Sequence, residues 1–361
     1  MTEKMKYLSQ RQGDYDANAF LNELFEASKL LGSLEAKIEA YKFKKILVPM
    51  FRNKEVISSM KIEGTQTTIT EVMEDNLSET TMNNDKALRE YRNHSKALFY
   101  GTEVLNTSDF SDDLMFKLHG IMMDGILPSS KKDCIGHYKK KDNFIVNSAK
   151  TVVFTPPSYT ETEKYMAELL DYMNNMTDKI NPLIKVAIIH SQFESIHPFE
   201  DGNGRVGRLL VSLYLYKAKL TNVPFFYISE AIAQDKTVYY KMLSDSRENS
   251  YNNWIKYFLK KCIVQANSLI SYIDNINQLY SETKKSVRDC VSSPKYEQIV
   301  ECIFTQPVVS SKYLANYLSV STGQAVRYLN KLEEEGVLYG DDRQRNRKYY
   351  FIDLLEAANR F

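Results

Sequence analysis

Residues 190–210, HSQFESIHPFEDGNGRVGRLL, form the most informative window of the sequence. Apolar helical segments flank a turn that contains a proline and the run 202–204, Gly-Asn-Gly. A glycine-rich turn that leads into a helix directs free backbone N–H groups and the positive end of the helix dipole to one point, which favours an anion. Arg205 and Arg208 are three residues apart in the first turn of the second helix, so both can reach an anion held there.

Two further side chains of this window suit phosphate chemistry. His197, at the end of the first helix, is a ready general base because its unperturbed pKa lies near neutrality. Asp201 offers carboxylate oxygens, which a phosphate-bound Mg²⁺ typically takes from one or two acidic residues. The window therefore predicts a phosphate cradle, a metal ligand and a base within twelve residues.

Most of the remaining sequence predicts helices that must position this turn. Apolar residues recur at three- and four-residue spacing in seven stretches: 17–45, 86–102, 112–125, 160–176, 181–196, 205–220 and 251–283. Two short β-branched runs, 143–146 and 151–155, flank a polar turn and predict one hairpin. The predicted fold is mainly α with a small β insert.

The composition changes near residues 292–294, and the remainder has its own pattern. Helical patterns at 295–304, 310–318 and 322–335 are followed by two strand patterns around a charged loop within 337–352. Helix, helix, turn, helix and β-hairpin is the layout of a winged helix-turn-helix. We therefore expect three domains: an N-terminal helical domain (1–95), a catalytic domain (96–292) and a winged helix-turn-helix domain (293–361).

The composition of the 361 residues excludes several classes of protein. Lysine and arginine total 47 against 46 acidic residues, a formal charge of +1, which excludes a strongly cationic nucleic-acid coat or a polybasic membrane anchor. A hydrophobic fraction of 43% is that of a globular chain. The sequence shows no bilayer-spanning apolar run and no secretory signal, and its four cysteines form no CxxC pair. We expect a cytoplasmic protein without membrane contact, disulfide framework or zinc site.

The segment HPFEDGNGRVGR, 197–208, resembles the signature of the Fic-domain family and fills every specified position of it. The resemblance implies a protein adenylyltransferase that moves AMP from ATP to a Ser, Thr or Tyr hydroxyl of a target protein, and often onto itself. It implies that His197 is the catalytic base, that Phe199 anchors the loop in the core and that Asp201 holds Mg²⁺. The nucleotide-binding set that it implies is Glu63, Glu200, Asp201, Gly202, Asn203, Gly204, Arg205, Val206, Gly207, Arg208, Tyr239 and Tyr240.

The resemblance extends to three other segments. SSMKIEGT, 58–65, is similar to the inhibitory helix of the family, with Ser59, Glu63 and Gly64 at the specified positions. It implies autoinhibition in which the Glu63 carboxylate pairs with Arg208. The hairpin within 136–157 resembles the flap that clamps the target segment, although it is longer between its strands. The tyrosine pair at 239–240 resembles one that lies beside the adenine.

Other interpretations of the same residues stay open. The glycine-rich turn alone is compatible with a solvated turn, and the whole motif with a domain that binds nucleotide without chemistry. A nucleotide-sensing regulator that binds DNA through residues 293–361 is one alternative function, and AMP removal or transfer of another nucleotide is a second. The C-terminal segment carries nine basic and nine acidic residues, so protein docking or a homodimer competes with DNA binding. Its candidate DNA contacts are Arg343, Arg345, Arg347 and Lys348.

The other histidines of the sequence carry no predicted role. His190 and Glu194 are four residues apart, but the second histidine of an HExxH metal motif is missing, so core packing is the better interpretation. His94, His119 and His137 are isolated in the sequence, and we assign them no function.

Overall fold

A computed structural model describes residues 5–11, 13–41, 44–77, 85–146, 149, 151–222, 224 and 226–359. The chain divides into two compact units. The first takes its residues from 1–35, 58–66 and 89–266, and the second from 36–57, 67–88 and 267–361. The described part contains no helix that is long and apolar enough to cross a bilayer.

The described residues are mainly helical, which confirms the predicted fold class. In chain order the helices are α1 (Leu21–Ala40), α2 (Lys44–Ile62), α3 (Ile69–Asp75), α4 (Lys86–Leu105), α5 (Asp112–Met123), α6 (Tyr159–Asn174), α7 (Pro182–Ile196), α8 (Asn203–Lys217), α9 (Ser229–Ala233), α10 (Lys236–Glu248), α11 (Asn252–Cys290), α12 (Tyr296–Thr305), α13 (Ser311–Leu318), α14 (Thr322–Glu334) and α15 (Ile352–Asn359). The strands are β1 (Ile145–Val146), β2 (Val152–Phe154), β3 (Val308–Ser310), β4 (Tyr339–Gly340) and β5 (Lys348–Tyr350).

Most predicted helices differ from the observed ones by a few residues at their ends, and two differ more. The stripe over 17–45 falls on a 3₁₀ turn, Ala17–Phe20, followed by α1, and α2 begins at Lys44. The stripe over 251–283 falls on α11, which continues to Cys290 because its polar last turns still bury an apolar residue, Val287.

Helix α7 lies at the centre of the first unit. Its residues from Leu183 to Ile196 are all buried, including polar side chains such as Lys185, His190 and Glu194. Asn181 caps its start by accepting from the backbone N–H of Leu183 at 2.9 Å. Trp254 of α11 is fully buried and donates from its indole nitrogen to the Ala187 carbonyl at 2.7 Å. A rigid, fully packed α7 therefore delivers His197 at its C-terminal end.

The predicted hairpin is present in the first unit. Strands β1 and β2 are antiparallel, with Ile145 opposite Phe154 and Val146 opposite Val152 across an irregular register. Residues 147, 148 and 150 of its connection lie outside the described residues.

The second unit contains a three-stranded antiparallel sheet in the order β3-β5-β4. Helices α12, α13 and α14 and the β4–β5 hairpin lie in the order expected of a winged helix-turn-helix. Strand β3, which pairs Val309 with Tyr349, was missed by the sequence analysis because three residues are too short to show a period. Phe304 and Phe351 meet edge to face at 5.2 Å in its core.

The basic side chains of the β4–β5 loop are largely paired within this unit. Arg347 donates to both carboxylate oxygens of Glu333, at 2.7 and 2.9 Å. Arg343 donates to Asp341 at 2.6 Å, and Lys348 to Glu74 at 2.8 Å. A nucleic-acid phosphate would have to displace these carboxylates, so the geometry does not favour the DNA-binding alternative.

Candidate active site

The turn between α7 and α8 holds His197 in a left-handed conformation. His197 has φ 49° and ψ 59°, which residues other than glycine adopt infrequently and keep only when their surroundings enforce it. Its backbone N–H still donates to the Phe193 carbonyl at 3.0 Å, so the residue caps the helix. Pro198 then prevents the helix from continuing.

Phe199 and Asn203 close the turn. The Asn203 side chain accepts from the Phe199 N–H and donates to the Phe199 carbonyl, both at 2.8 Å. The ring of Phe199 is fully buried and lies parallel to the His119 ring at 4.0 Å. Phe199 therefore holds the loop in the core, as the resemblance implied, and the Asn203 side chain is engaged in shaping the turn.

Helix α8 begins at this turn and provides an anion cradle. Gly202 has φ 82°, which allows the chain to reverse into the helix. In an α-helix the first backbone N–H groups have no intrahelical acceptor, so those at the start of α8 are available to an anion. Arg205 and Arg208 extend from the first turns of the same helix.

Arg208 is held by the end of α2. Its Nε donates to Ser59 Oγ at 3.0 Å, and its Nη2 donates to the Ser59 carbonyl at 3.1 Å and to Glu63 Oε1 at 2.7 Å. Arg208 and Ser59 are buried, whereas the Glu63 side chain keeps about a third of its exposure. Helix α2 ends at Ile62, and Gly64 follows with φ 90°, a conformation suited to glycine at a helix end.

Gly204 allows the Glu63 carboxylate to enter the cradle. A Cβ atom at position 204 would lie 2.6 Å from Glu63 Oε1 and 3.1 Å from Arg208 Nη1. The carboxylate thus occupies space directly above the first turn of α8, where an anion would otherwise approach.

The charges of this pair reinforce one another. Burial alone would raise the pKa of Glu63, but the Arg208 charge and hydrogen bond outweigh it, so the pKa lies below its ordinary value. Burial acts to lower the pKa of Arg208, and the Glu63 carboxylate raises it above the ordinary range. Both groups are therefore charged at neutral pH.

Arg205 is engaged by two other carboxylates. Its Nη2 lies 3.2 Å from Asp201 Oδ1, and its Nη1 lies 3.4 Å from Glu90 Oε1 on α4. Glu90 is buried, so this contact is shielded from solvent. Each arginine of the cradle is thus paired with carboxylates in the resting structure.

The His197 imidazole is neutral in this environment. Burial lowers its pKa to about 4, and the positive charges of Lys139 and Arg247 act in the same direction. The Glu194 carbonyl and the Glu63 carboxylate oppose this shift. At neutral pH the imidazole can therefore accept a proton.

Asp201 is the residue that the resemblance assigns to Mg²⁺, and its surroundings can be compared with that role. Its carboxylate is partly exposed, lies at the edge of the cradle and is 3.8 Å from Lys131 Nζ. One carboxylate beside a phosphate site suits Mg²⁺, which keeps several waters and takes its other ligands from the phosphates. Within the described residues no three histidine, cysteine or acidic side chains converge on a metal position.

Two family models match the chain. The model described as Fic/DOC family matches residues 109–215, and the model described as Fic/DOC family N-terminal matches residues 21–103. The chain belongs to the Fic/DOC family. The first match contains His197 and the whole cradle, and the second contains Ser59 and Glu63.

Curated relatives share parts of this Fic chain. A probable protein adenylyltransferase of Aquifex aeolicus is 38% identical over 89 residues, 24% of this chain and 26% of that protein. The protein adenylyltransferase Fic of Nematostella vectensis is 26% identical over 174 residues, 46% of this chain and 39% of that protein. The matches thus span between about a quarter and two fifths of these relatives.

Solved Fic structures share the fold. A Fic family protein from Desulfovibrio desulfuricans matches with a TM-score of 0.60 and 21% identity, covering 93% of this chain and 97% of that one. A Fic domain containing signaling protein from Bacteroides thetaiotaomicron matches with a TM-score of 0.56 and 22% identity, covering 69% of this chain and 97% of that one.

The resemblance also implied that Glu200, Val206, Gly207 and Tyr239 bind the nucleotide. These four residues face away from the cradle or lie at its side. The Glu200 carboxylate lies 3.3 Å from Lys141 Nζ. The Val206 side chain is buried, and Gly207 packs so closely on α7 that a Cβ would lie 2.4 Å from Glu194 Oε1. Tyr239 is buried and donates its hydroxyl proton to His190.

The tyrosine pair lies near the end of α2. The rings of Tyr239 and Tyr240 are 5.1 Å apart, and Tyr240 is exposed. Lys236, at the start of the same helix, donates to the Ile62 carbonyl and lies 5.8 Å from the Tyr240 ring centre. Burial and the charge of Glu63 raise the pKa of Tyr240 to about 12, and the charge of Arg208 opposes this shift.

Two further histidines build this Fic site: His190, for which the sequence favours core packing and which is indeed buried, and His119, to which the sequence assigns no role. His119 accepts from the Gly136 N–H at 2.9 Å, so its Nε2–H donates to the Asp201 carbonyl at 3.0 Å. His190 donates from Nδ1 to the Gly207 carbonyl at 3.0 Å and accepts from the Tyr239 hydroxyl at 2.8 Å. These contacts span 17 to 82 residues of sequence, and no local spacing signals them.

Proposed function

We propose that this Fic protein is a protein adenylyltransferase that transfers AMP from ATP to a hydroxyl of a protein side chain. The observation that carries the proposal is a neutral His197 at the same turn that begins the two-arginine cradle of α8. A base beside a triphosphate site can act on an acceptor hydroxyl without a covalent enzyme intermediate. The names of the curated relatives support the same activity.

In the proposed reaction the acceptor oxygen attacks the α-phosphorus of ATP. The bond from that phosphorus to the bridging oxygen breaks, pyrophosphate leaves, and the hydroxyl proton passes to His197 Nε2, because Nδ1 is buried. Arg205 and Arg208 would stabilise the charge on the departing phosphates, because arginine forks suit phosphate oxygens. Asp201 would hold Mg²⁺, which neutralises phosphate charge when bound.

We further propose that Glu63 and Ser59 inhibit this activity in the resting chain. They take three of the hydrogen bonds that Arg208 would offer to the γ-phosphate. ATP would then bind with its α-phosphate displaced from the line of attack, and a misplacement of about 1 Å can cost on the order of a hundredfold in rate.

The test is incubation of the purified protein with ATP labelled either on the α- or on the γ-phosphate, in the presence of Mg²⁺. Self-modification serves as the readout because it needs no knowledge of the target. We expect stable label from α-labelled ATP only, and more of it in Glu63→Gly than in wild type. Label from γ-labelled ATP would identify phosphoryl transfer instead, and nucleotide binding without any label would leave a sensor domain as the function.

A further inference from the structure

The segment that precedes β1 contacts the catalytic turn through its backbone. Four consecutive carbonyls of this turn, those of residues 196–199, each accept a hydrogen bond from Lys139 or Asn143, and the Phe199 carbonyl accepts a second one from Asn203. The Lys139 N–H donates to Pro198 O at 2.8 Å, and its Nζ donates to Ile196 O at 3.2 Å. The Asn143 Nδ2 donates to the carbonyls of His197 and Phe199, each at 3.0 Å.

The two residues also hold one another. Lys139 Nζ donates to Asn143 Oδ1 at 2.8 Å, which leaves the amide nitrogen as the only side-chain atom of Asn143 that can face the two carbonyls. The amide orientation is therefore fixed by its partners. We call the pair Lys139 and Asn143 the carbonyl clamp.

Lys139 differs from its two neighbours in the run of three lysines at 139–141. It is only 3% exposed, whereas Lys140 and Lys141 are exposed. Burial lowers the pKa of Lys139 to about 8, so the ammonium remains mostly charged at neutral pH at an energetic cost. A methionine or leucine would fill this position without that cost, but neither could donate to the Ile196 carbonyl and the Asn143 amide oxygen.

We propose that Lys139 and Asn143 are positioning residues for His197, which set the catalytic turn and couple it to the β1–β2 hairpin. The proposal rests on the proposed adenylyl transfer for its kinetic consequence. The left-handed backbone of His197 needs an external restraint, and the clamp contacts its own carbonyl and those on both sides. Asn143 lies two residues before β1, so any displacement of the hairpin is transmitted to the base.

The charge of Lys139 provides an independent signature of the clamp. Besides burial, the charges of Lys139 and of Arg247 on α10 lower the pKa of His197, whereas a hydrogen bond with the Glu194 backbone and the charge of Glu63 after α2 raise it. Because Lys139 lowers the pKa of His197, its removal should raise that pKa. A residue that merely filled space would leave the pKa unchanged.

The kinetic test uses Glu63→Gly as the parent, since that variant should show measurable self-labelling. We expect Lys139→Met and Asn143→Asp to reduce the maximal rate by about ten- to a hundredfold, with KM for ATP changed less than about twofold. Asn143→Asp keeps an acceptor for Lys139 but loses both donors to the turn. Lys139→Arg, which keeps a charged donor, should retain more activity than Lys139→Met, and the matched control Lys140→Met should behave as the parent.

The second test does not require activity. The chain has five histidines, and a His197→Asn variant identifies the His197 signals in NMR spectra of ring-labelled protein. Titration should give a higher pKa for His197 in Lys139→Met than in the parent, and no change in Lys140→Met. If Lys139→Met fails to fold, the maximal rate of self-labelling by Asn143→Asp tests whether the clamp positions His197.

The outcomes separate the two proposals. A parent that binds ATP but transfers no AMP contradicts the proposed function. In that case the titration of His197 still tests whether the carbonyl clamp acts on it. A parent that transfers AMP, with folded clamp variants equal to it in maximal rate and in the pKa of His197, overturns the clamp alone.

Discussion

Replacing Glu63 by glycine should release Arg208 and raise the rate of AMP transfer. The carboxylate contributes one charge-assisted hydrogen bond of 2.7 Å to a buried guanidinium, and such bonds are worth about 1.5–3 kcal/mol. Since about 1.4 kcal/mol is a tenfold change in an equilibrium, the active population should rise about ten- to a hundredfold. The partial exposure of Glu63 favours the lower part of this range.

Ser59 would still hold Arg208 in that variant, so the release is incomplete. The Ser59 hydroxyl and carbonyl, which carry no charge, accept hydrogen bonds from the Arg208 guanidinium. We therefore expect Ser59→Ala alone to activate less than Glu63→Gly, and Glu63→Gln, which keeps an acceptor but no charge, to lie between wild type and Glu63→Gly. Arg208→Ala should abolish transfer even when combined with Glu63→Gly, because the phosphate ligand is lost with the partner of the inhibitor.

The assay is the initial rate of self-labelling from α-labelled ATP at saturating nucleotide, with ATP affinity measured separately. Glu103→Gln on α4 is a suitable control because it makes the same chemical change at an exposed position. Equal rates in wild type and Glu63→Gly, with Arg208→Ala inactive, would refute the inhibitory role of the carboxylate. Activation by Glu103→Gln of similar size would show that a general effect of charge had been measured.

Further predictions concern the base, the metal ligand, pH and the turn. His197→Ala in the Glu63→Gly chain should abolish labelling while ATP affinity stays within about threefold, because other groups bind the phosphates. Labelling by this double variant would contradict the proposed mechanism. Asp201→Asn should raise the Mg²⁺ concentration needed for half-maximal rate without lowering the melting temperature, and a large loss of thermal stability in its place would mark Asp201 as structural. The pKa of Glu63 is lowered in the folded chain, so its pairing with Arg208 is complete above the ordinary value of 4.5 and is lost only as pH falls through the lower folded value. The ratio of the Glu63→Gly rate to the wild-type rate should therefore stay constant between about pH 6 and pH 8. His119→Phe keeps an aromatic ring on Phe199 but loses both hydrogen bonds, and denaturant unfolding should show a loss of about 1–3 kcal/mol.

The helices, the hairpin and the central motif could be predicted because their signals are local. Apolar spacing located α7 and α8, and the Gly-Asn-Gly turn located the cradle between them. The resemblance also supplied Glu63 as a partner of Arg208, although the two are separated by 145 residues. A family pattern can predict such a pairing because it specifies residues in both of the distant segments.

The supporting contacts could not be predicted because they depend on tertiary packing. His119 looks like an isolated helix residue, and only the packing of α5 against the turn gives it Phe199 and Asp201 as partners. The run of lysines at 139–141 looks like a solvated loop, and nothing in the local sequence shows that its first member is buried. Glu90 similarly gains its role only from Arg205, which is 115 residues away.

The hold of Ser59 and Glu63 on Arg208 is intramolecular, and this determines what can relieve it. Contacts within one chain have an effective concentration on the order of millimolar, whatever the concentration of the protein. Dilution will therefore not release Arg208. A partner that captures residues 58–64 has to overcome the same local concentration, so a physiological activator should bind this segment tightly or modify it covalently.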